Sequence, residues 1–170
     1  YDVTPTMDAE EDPLLAEFQG TEKIFQWHGE TFDLPTRTTH LAFSPICANQ
    51  AFRYGGNIYG FQFHLEVDEP MIERWLRVVE NRREITSLGG KIDPAAIRRD
   101  TPLHLARLQQ LGNQVFGEFI DFSGDKSWAV KPSLPANNSA SGDMNIQVSK
   151  AGDYEIVVQS CIALINLDWC

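Results

Sequence analysis

The segment of residues 58–63 constrains the fold more than any other part of this 170-residue chain. Nearly all of its side chains are apolar or aromatic, which is typical of a strand that is buried on both faces of its sheet. Such a strand needs cover on both sides, so the segment predicts an α/β fold, an open sheet with flanking helices. Further strands are predicted at residues 23–27, 40–44 and 49–54.

Two helices are predicted after this strand. Asp68 can cap the first helix, which carries apolar side chains on one face and runs to about Glu84. Asp93 and Pro94 start the second helix, and we expect Pro102 to break it into a short turn and a main helix of residues 102–121. The acidic residues 1–20 predict a short surface helix or turn.

Residues 125–170 differ in character from the rest of the chain. We expect a partial domain at residues 1–124, a linker rich in proline and small polar residues at 125–144, and a β-rich tail at 145–170. Strands are predicted in this tail at residues 145–148, 154–158 and 162–165. The tail either pairs with a free edge of the sheet or packs as a separate hairpin.

Charge and cysteine content exclude several classes of protein. Fourteen Lys and Arg against twenty-four Asp and Glu give a net charge of −10, which argues against nucleic acid as the main partner. The arginines of residues 74–107 alternate with acidic residues, which favours solvated helix faces over an anion site. The longest apolar run, residues 156–167, is too short to span a membrane. Three cysteines without a CxxC pair indicate a reducing compartment and a cytoplasmic protein.

The most suggestive polar pair is His64 and Glu66, directly after the buried strand. Residues two apart in a strand point to the same face, so the imidazole and the carboxylate are aimed together. Such a pair suits a general base that is held and charge-stabilised by an acid. The pair is also common as a plain structural contact. If it is catalytic, we expect the imidazole to be exposed toward the loop at His28 and Gly29.

A second candidate follows the predicted strand of residues 23–27, where His28, Gly29 and Glu30 lead into a loop. A glycine there lets a ligand approach the backbone closely, although a simple tight turn explains the same residues. Metal binding is a rival use of the imidazoles and carboxylates, but their spacing is not diagnostic of a metal site, and no metal or other cofactor is expected. The residues considered for a metal were His28, His40, His64, Glu30 and Glu66.

Three segments together resemble the carboxyl-terminal half of a class I glutamine amidotransferase, close to the free-standing proteins related to the amidotransferase domain of GMP synthase. They are FQWHGETFDLP (residues 25–35), CANQAFRYG (47–55) and YGFQFHLEV (59–67). The likeness covers residues 1 to about 123. It implies a flavodoxin-like open sheet and a Cys-His-Glu triad that hydrolyses the side-chain amide of glutamine to glutamate and ammonia.

Residue by residue, the resemblance implies that His64 is the base and Glu66 the acid that orients it. It implies that His28, Gly29 and Glu30 help to hold the glutamine substrate. The partner it implies is a synthetase domain or subunit that accepts the ammonia, which the sequence does not name. Whether the substrate is glutamine or another γ-glutamyl amide also stays open.

The sequence departs from the family in one large respect, because the GxCxG elbow that presents the nucleophile is not in this chain. Cys47 lies in a segment that matches a non-catalytic position of the family. We therefore expect the chain to be part of a longer enzyme and to be inactive alone. The alternative is a catalytically silent scaffold or interaction domain; a metal-binding protein is a more distant one.

Overall fold

The computed structural model describes residues 1–123 and the strand Glu155–Val158. An open sheet with helices beside it is present, so the expected α/β class is confirmed. The six strands lie in the order β2-β1-β3-β4-β5-β6. Their bounds are Asp2–Pro5 (β1), Glu22–Lys23 (β2), Thr38–Ser44 (β3), Cys47–Tyr54 (β4), Ile58–Phe61 (β5) and Glu155–Val158 (β6).

Pairing within this sheet is antiparallel from β2 through β5, and only β5 and β6 run parallel. A flavodoxin-like sheet would be parallel, so the strand directions differ from that expectation. The reason lies in the connections: Pro45 and Ile46 alone join β3 to β4, and the turn at Gly55, whose φ is 61°, joins β4 to β5. Connections this short can join only antiparallel neighbours.

Strand β6 pairs with the edge of β5, with Tyr59 opposite Ile156. This is the first of the two arrangements considered for the tail. The linker at residues 125–144 and the strands predicted at 145–148 and 162–165 lie outside the described residues. The division of the chain into three parts therefore stays a prediction.

The amino-terminal part holds two departures from the sequence prediction. Strand β1 was not predicted, because Asp2–Pro5 is short and carries a single apolar residue of high strand propensity, Val3, which is fully buried. The strand predicted at residues 23–27 is regular only at Glu22–Lys23, and beyond it a single bridge joins Phe25 to His64. A short 3-10 helix, Met7–Ala9, followed by turns forms the acidic segment, as predicted.

The first predicted helix is in fact two helices, α1 (Glu69–Arg77) and α2 (Val79–Ser87). Asp68 caps α1 as expected, accepting a hydrogen bond from the backbone N–H of Met71 at 2.7 Å. The break falls at Val78, whose ψ of 134° is extended. There the side-chain amide of Asn81 donates to the carbonyl of Trp75 at 2.9 Å, taking the acceptor that the N–H of Val79 would use in a continuous helix.

Helix α3 is continuous from Pro94 to Ser123, so the predicted break at Pro102 is wrong. Leu108, Leu111 and Val115 bury one face of the helix beyond the proline. Arg107 anchors the same stretch to the far end of the sheet by an ion pair with Glu22. These tertiary contacts outweigh the loss of one backbone hydrogen bond at the proline, which costs about 3 kcal/mol in an isolated helix.

Helix α3 approaches the chain after β5 more closely than a side chain would allow. A Cβ atom on Gly112 would lie 2.4 Å from the carbonyl oxygen of Leu65. Phe63, Leu65 and Val67 are all buried in the core. The residues between them, His64 and Glu66, therefore project to the other side of this segment.

Replacing Gly112 by alanine should destabilise the protein by about 1–3 kcal/mol, because the new methyl group pushes against backbone that is held in place on both sides. Gly117→Ala is the matched control: it lies in the same helix, its Cβ meets nothing within 4 Å, and helix propensity predicts a gain of up to about 1 kcal/mol. Urea unfolding measures both. Equal effects of the two substitutions would contradict the close approach.

Candidate functional site

The candidate site forms where the chain after β5 meets the chain after β2. The backbone N–H of His64 donates to the carbonyl of Phe25 at 2.9 Å, which is the bridge between the two segments. This bond fixes the backbone of His64 beside the residues that lead to His28. The structure thus brings two separately predicted segments to one place.

The imidazole of His64 and the carboxylate of Glu66 are in direct contact. Nδ1 of His64 lies 2.6 Å from Oε1 of Glu66. An ionised carboxylate can only accept, so Nδ1 carries the proton and donates it to this bond. The other ring nitrogen, Nε2, is then the basic one in the neutral ring. This is the arrangement in which an acid orients a general base.

The basic nitrogen of His64 has no hydrogen-bond partner among the described residues, although the atom is buried. The expectation of an exposed imidazole is wrong, since only 1% of His64 is accessible. Two aromatic side chains account for the burial: the ring centroid of Trp75 lies 5.0 Å from the imidazole and that of Phe25 lies 6.2 Å from it. A buried polar atom without a partner is unfavourable in a plain structural contact, and it marks a position where a further group can bind.

His28 is also buried, and each of its ring nitrogens lies close to an oxygen atom. Its Nδ1 donates to the carbonyl of Glu30 at 3.0 Å, and its Nε2 lies 3.0 Å from Oε1 of Gln26. Burial has the largest effect on His28 and lowers its pKa; the hydrogen bond to the Glu30 carbonyl opposes this by a smaller amount, and the electrostatic effect of the neighbouring His64, smaller still, lowers the pKa. The neutral form of His28 is therefore favoured in the folded protein.

The other two residues of the predicted loop take part through their backbone. Gly29 is half-buried, and a Cβ built on it would meet no atom within 4 Å, so there is open space beside its backbone. The side chain of Glu30 is exposed, while its carbonyl accepts hydrogen bonds from His28 and from Nε2 of Gln62. The structure places the loop next to the imidazole pair, and its role in binding stays a prediction.

Sequence reasoning missed a buried polar network beside this loop. Oε1 of Gln62 accepts from the hydroxyl of Thr31 at 2.9 Å, and the thiol of Cys47 lies 3.2 Å from Thr31 and 3.4 Å from Gln62. Gln50 donates to Gln26 at 3.1 Å and to the hydroxyl of Ser44. The signal was present for Gln26 and Gln62, because each interrupts an apolar run of a predicted strand, whereas Gln50 follows Asn49 and gave no such signal.

The metal alternative was tested by looking for clustered ligands. Within residues 1–123, no group of three or more His, Cys, Asp or Glu side chains is placed to hold a metal ion. His40 is occupied elsewhere, since its Nε2 donates to the carbonyl of Ala42 at 2.8 Å. In the same part of the chain, no helix is long and apolar enough to cross a membrane.

Known proteins resemble this chain in sequence and in fold. The glutamine amidotransferase-like protein YfeJ of Salmonella typhimurium is 29% identical over 121 residues. A glutamine amidotransferase of Thermotoga maritima superimposes with a TM-score of 0.62 at 31% identity, and one of Methylobacillus flagellatus with 0.58 at 27%. The chain is similar to glutamine amidotransferases.

The extent of this similarity is the same in all three comparisons. It covers 71% of this chain and 48%, 49% and 50% of the three relatives in turn. The chain thus spans about half the length of the proteins it matches. No protein-family model matches the chain. The comparisons support the glutamine amidotransferase-like family and leave the roles of individual residues to be proposed.

The depressed pKa of His28 makes stability depend on pH. Below the ordinary value of 6.5 the unfolded chain binds a proton that folded His28 resists, so the free energy of unfolding falls as the pH drops below it. Urea unfolding at about pH 7.5 and about pH 5.5 measures the loss, which His28→Gln should reduce. His104→Gln, at an exposed histidine of α3, should keep it. If both variants keep the full loss, His28 is not its source.

Proposed function

We propose that His64 and Glu66 are the base and the orienting acid of a Cys-His-Glu triad that hydrolyses the side-chain amide of glutamine to glutamate and ammonia. The observation that carries the proposal is the buried Nε2 of His64, which has no partner while Nδ1 is bound to Glu66. The similarity to glutamine amidotransferases supports the same reaction. We further propose that the protein containing this chain is a class I glutamine amidotransferase related to the amidotransferase of GMP synthase.

The proposed reaction uses the free nitrogen twice. Nε2 of His64 first takes the proton of a cysteine thiol, and the thiolate attacks the amide carbon of glutamine. The same nitrogen then gives its proton to the departing nitrogen, so ammonia leaves and a glutamyl thioester remains. His64 then takes a proton from a water molecule, whose oxygen attacks the thioester, and returns that proton to the departing cysteine sulfur, so glutamate and the free thiol are released. Glu66 keeps the proton on Nδ1 and stabilises the imidazolium that forms twice in the cycle.

The nucleophile is proposed to come from a part of the longer protein that the printed sequence does not contain. Cys47 is buried, and the partners of its thiol are Thr31, Gln62 and the carbonyl of Asn49, with His64 absent from them. A thiol that lies away from the base cannot give its proton to that base, so the base does not convert it to the nucleophilic thiolate. Cys47 is therefore assigned to the polar network beneath the loop.

The loop of His28, Gly29 and Glu30 is proposed to hold the glutamine substrate. The open space beside the Gly29 backbone leaves room for a ligand to bind main-chain groups directly. His28 and Gln62 fix the loop from below through the carbonyl of Glu30. The released ammonia would be used by a synthetase domain or subunit, in a cytoplasmic protein.

Removing the acid of the pair in the whole protein that contains this chain should cost activity without a matching loss of stability. Glu66→Gln is expected to lower kcat for glutamine hydrolysis by about a hundredfold or more, because Nδ1 loses the charge that holds its proton and stabilises the imidazolium. Glu80→Gln removes a carboxylate that is exposed on α2 and serves as control. Unchanged kcat in Glu66→Gln would favour a catalytically silent scaffold.

The polypeptide of the printed sequence should release no ammonia from glutamine above background when it is assayed alone. Its only cysteine among residues 1–123 is Cys47, which lacks contact with the base. Glutamate release is the readout, with the whole protein as positive control. Turnover that Cys47→Ser abolishes would overturn this assignment and make Cys47 the nucleophile.

A further inference from the structure

Three helices meet around a cavity on the surface away from the candidate active site residues. Its volume is about 310 Å³, and each helix contributes one arginine to its wall. Arg77 ends α1, Arg82 lies in the first turns of α2, and Arg98 lies in the first turns of α3. The alternating charges of this region predicted solvated helix faces. In the fold, however, three of its arginines lie around one cavity.

No acidic residue lines this cavity. The nearest carboxylate in the contacts of these arginines is Glu73, which binds Nε of Arg77 at 2.5 Å and Nε of Arg98 at 2.7 Å. The two arginines lower the pKa of Glu73, Arg98 most, so this carboxylate is ionised. Among the three lining arginines and Glu73 alone, positive charges exceed negative ones by two, in a chain whose net charge is −10.

Many guanidinium donors around the cavity remain unused. Each guanidinium has five N–H groups. Arg77 uses Nε, and Arg98 uses Nε and one terminal nitrogen, all toward Glu73. The structure shows no side-chain partner for Arg82 within the described part of the chain. Glu73 thus orients two of the arginines while it leaves most of their donors available to a ligand.

The floor of the cavity is apolar. Leu76 and Ile85 are buried beneath it, and Pro94 forms one side. Thr86 stands at the rim, but its hydroxyl donates to the carbonyl of Arg82, so it does not supply a donor to an anion. The cavity therefore combines a mostly polar, cationic wall with a small apolar floor against which part of an organic group can pack.

We propose that this cavity binds the phosphate group of a small organic phosphate. Guanidinium groups that approach from three helices suit a tetrahedral dianion with three free oxygens. A planar carboxylate, by contrast, needs only one guanidinium group, which can bind both of its oxygens. An excess of two positive charges matches the charge of a phosphomonoester. The apolar floor receives the organic part. This site does not depend on the proposed amidotransferase reaction.

The test is an NMR titration of the backbone amides of this chain with inorganic phosphate and with phenyl phosphate. Sodium chloride at the same ionic strength is the reference. We expect saturable shifts of residues 76–98 with both phosphates and tighter binding of phenyl phosphate. Arg82→Gln should weaken binding by about fivefold or more, the equivalent of one partly exposed charge-assisted contact.

The matched control is Arg83→Gln, the neighbouring arginine of α2, which is exposed and does not line the cavity. It should bind both phosphates as the unchanged protein does. Thermal unfolding of both variants shows that the fold is retained. Shifts that do not saturate, shifts reproduced by chloride, or equal losses in Arg82→Gln and Arg83→Gln would each overturn the proposal. Binding of inorganic phosphate as tight as that of phenyl phosphate would overturn the role of the apolar floor.

Discussion

The packing of residues 63–67 between α3 and α1 is the constraint on which the rest of the structure depends. Phe63, Leu65 and Val67 are buried on one side, where the Leu65 carbonyl meets Gly112. On the other side His64 packs against Trp75. Core and candidate site are therefore alternate residues of one segment, so the direction of the His64 imidazole is set by the same packing that holds α3 on the sheet.

The polar side chains beneath the candidate site form hydrogen bonds with one another, and these bonds offset much of the free-energy cost of burying them. Gln26, Gln50 and Gln62 reach across three segments, and Nδ1 of His28 donates to the carbonyl of Glu30. A network of this kind favours a single arrangement of the loop, since another arrangement would break several of these hydrogen bonds. Nε2 of His64 is one of the buried polar atoms in this region that have no partner among the described residues, as are Nε2 of Gln26 and Oε1 of Gln50. It differs from these amide atoms in being the basic atom of an imidazole whose other nitrogen is held by Glu66.

The fold class and strands β3 to β5 were predictable from the sequence, since apolar runs are local signals. The starts of α1 and α3 were predictable as well, since capping residues are also local signals, but the start of α2 was not. The break at Val78 was not, because it depends on the side chain of Asn81 taking a carbonyl that periodicity assigns to the backbone. Continuity through Pro102 depends on contacts such as that of Arg107 with Glu22, distant in sequence. The pairing of His64 with Glu66 follows from two-residue spacing, whereas the burial of the imidazole comes from Trp75 on another element.

The two kinds of connection in the sheet have a consequence for the order in which the protein folds. Strands β3, β4 and β5 are joined by turns of a few residues, so they form a meander of low contact order that closes quickly. Helix α3 docks on Glu22 across 85 residues of sequence, and β6 joins β5 across all three helices. During synthesis the strand that leads to His64 is thus in place before the helix that fixes its backbone has been made. Until then the apolar side chains of the segment after β5 lack the cover that α3 gives them, and exposed apolar surface of this kind favours misassembly.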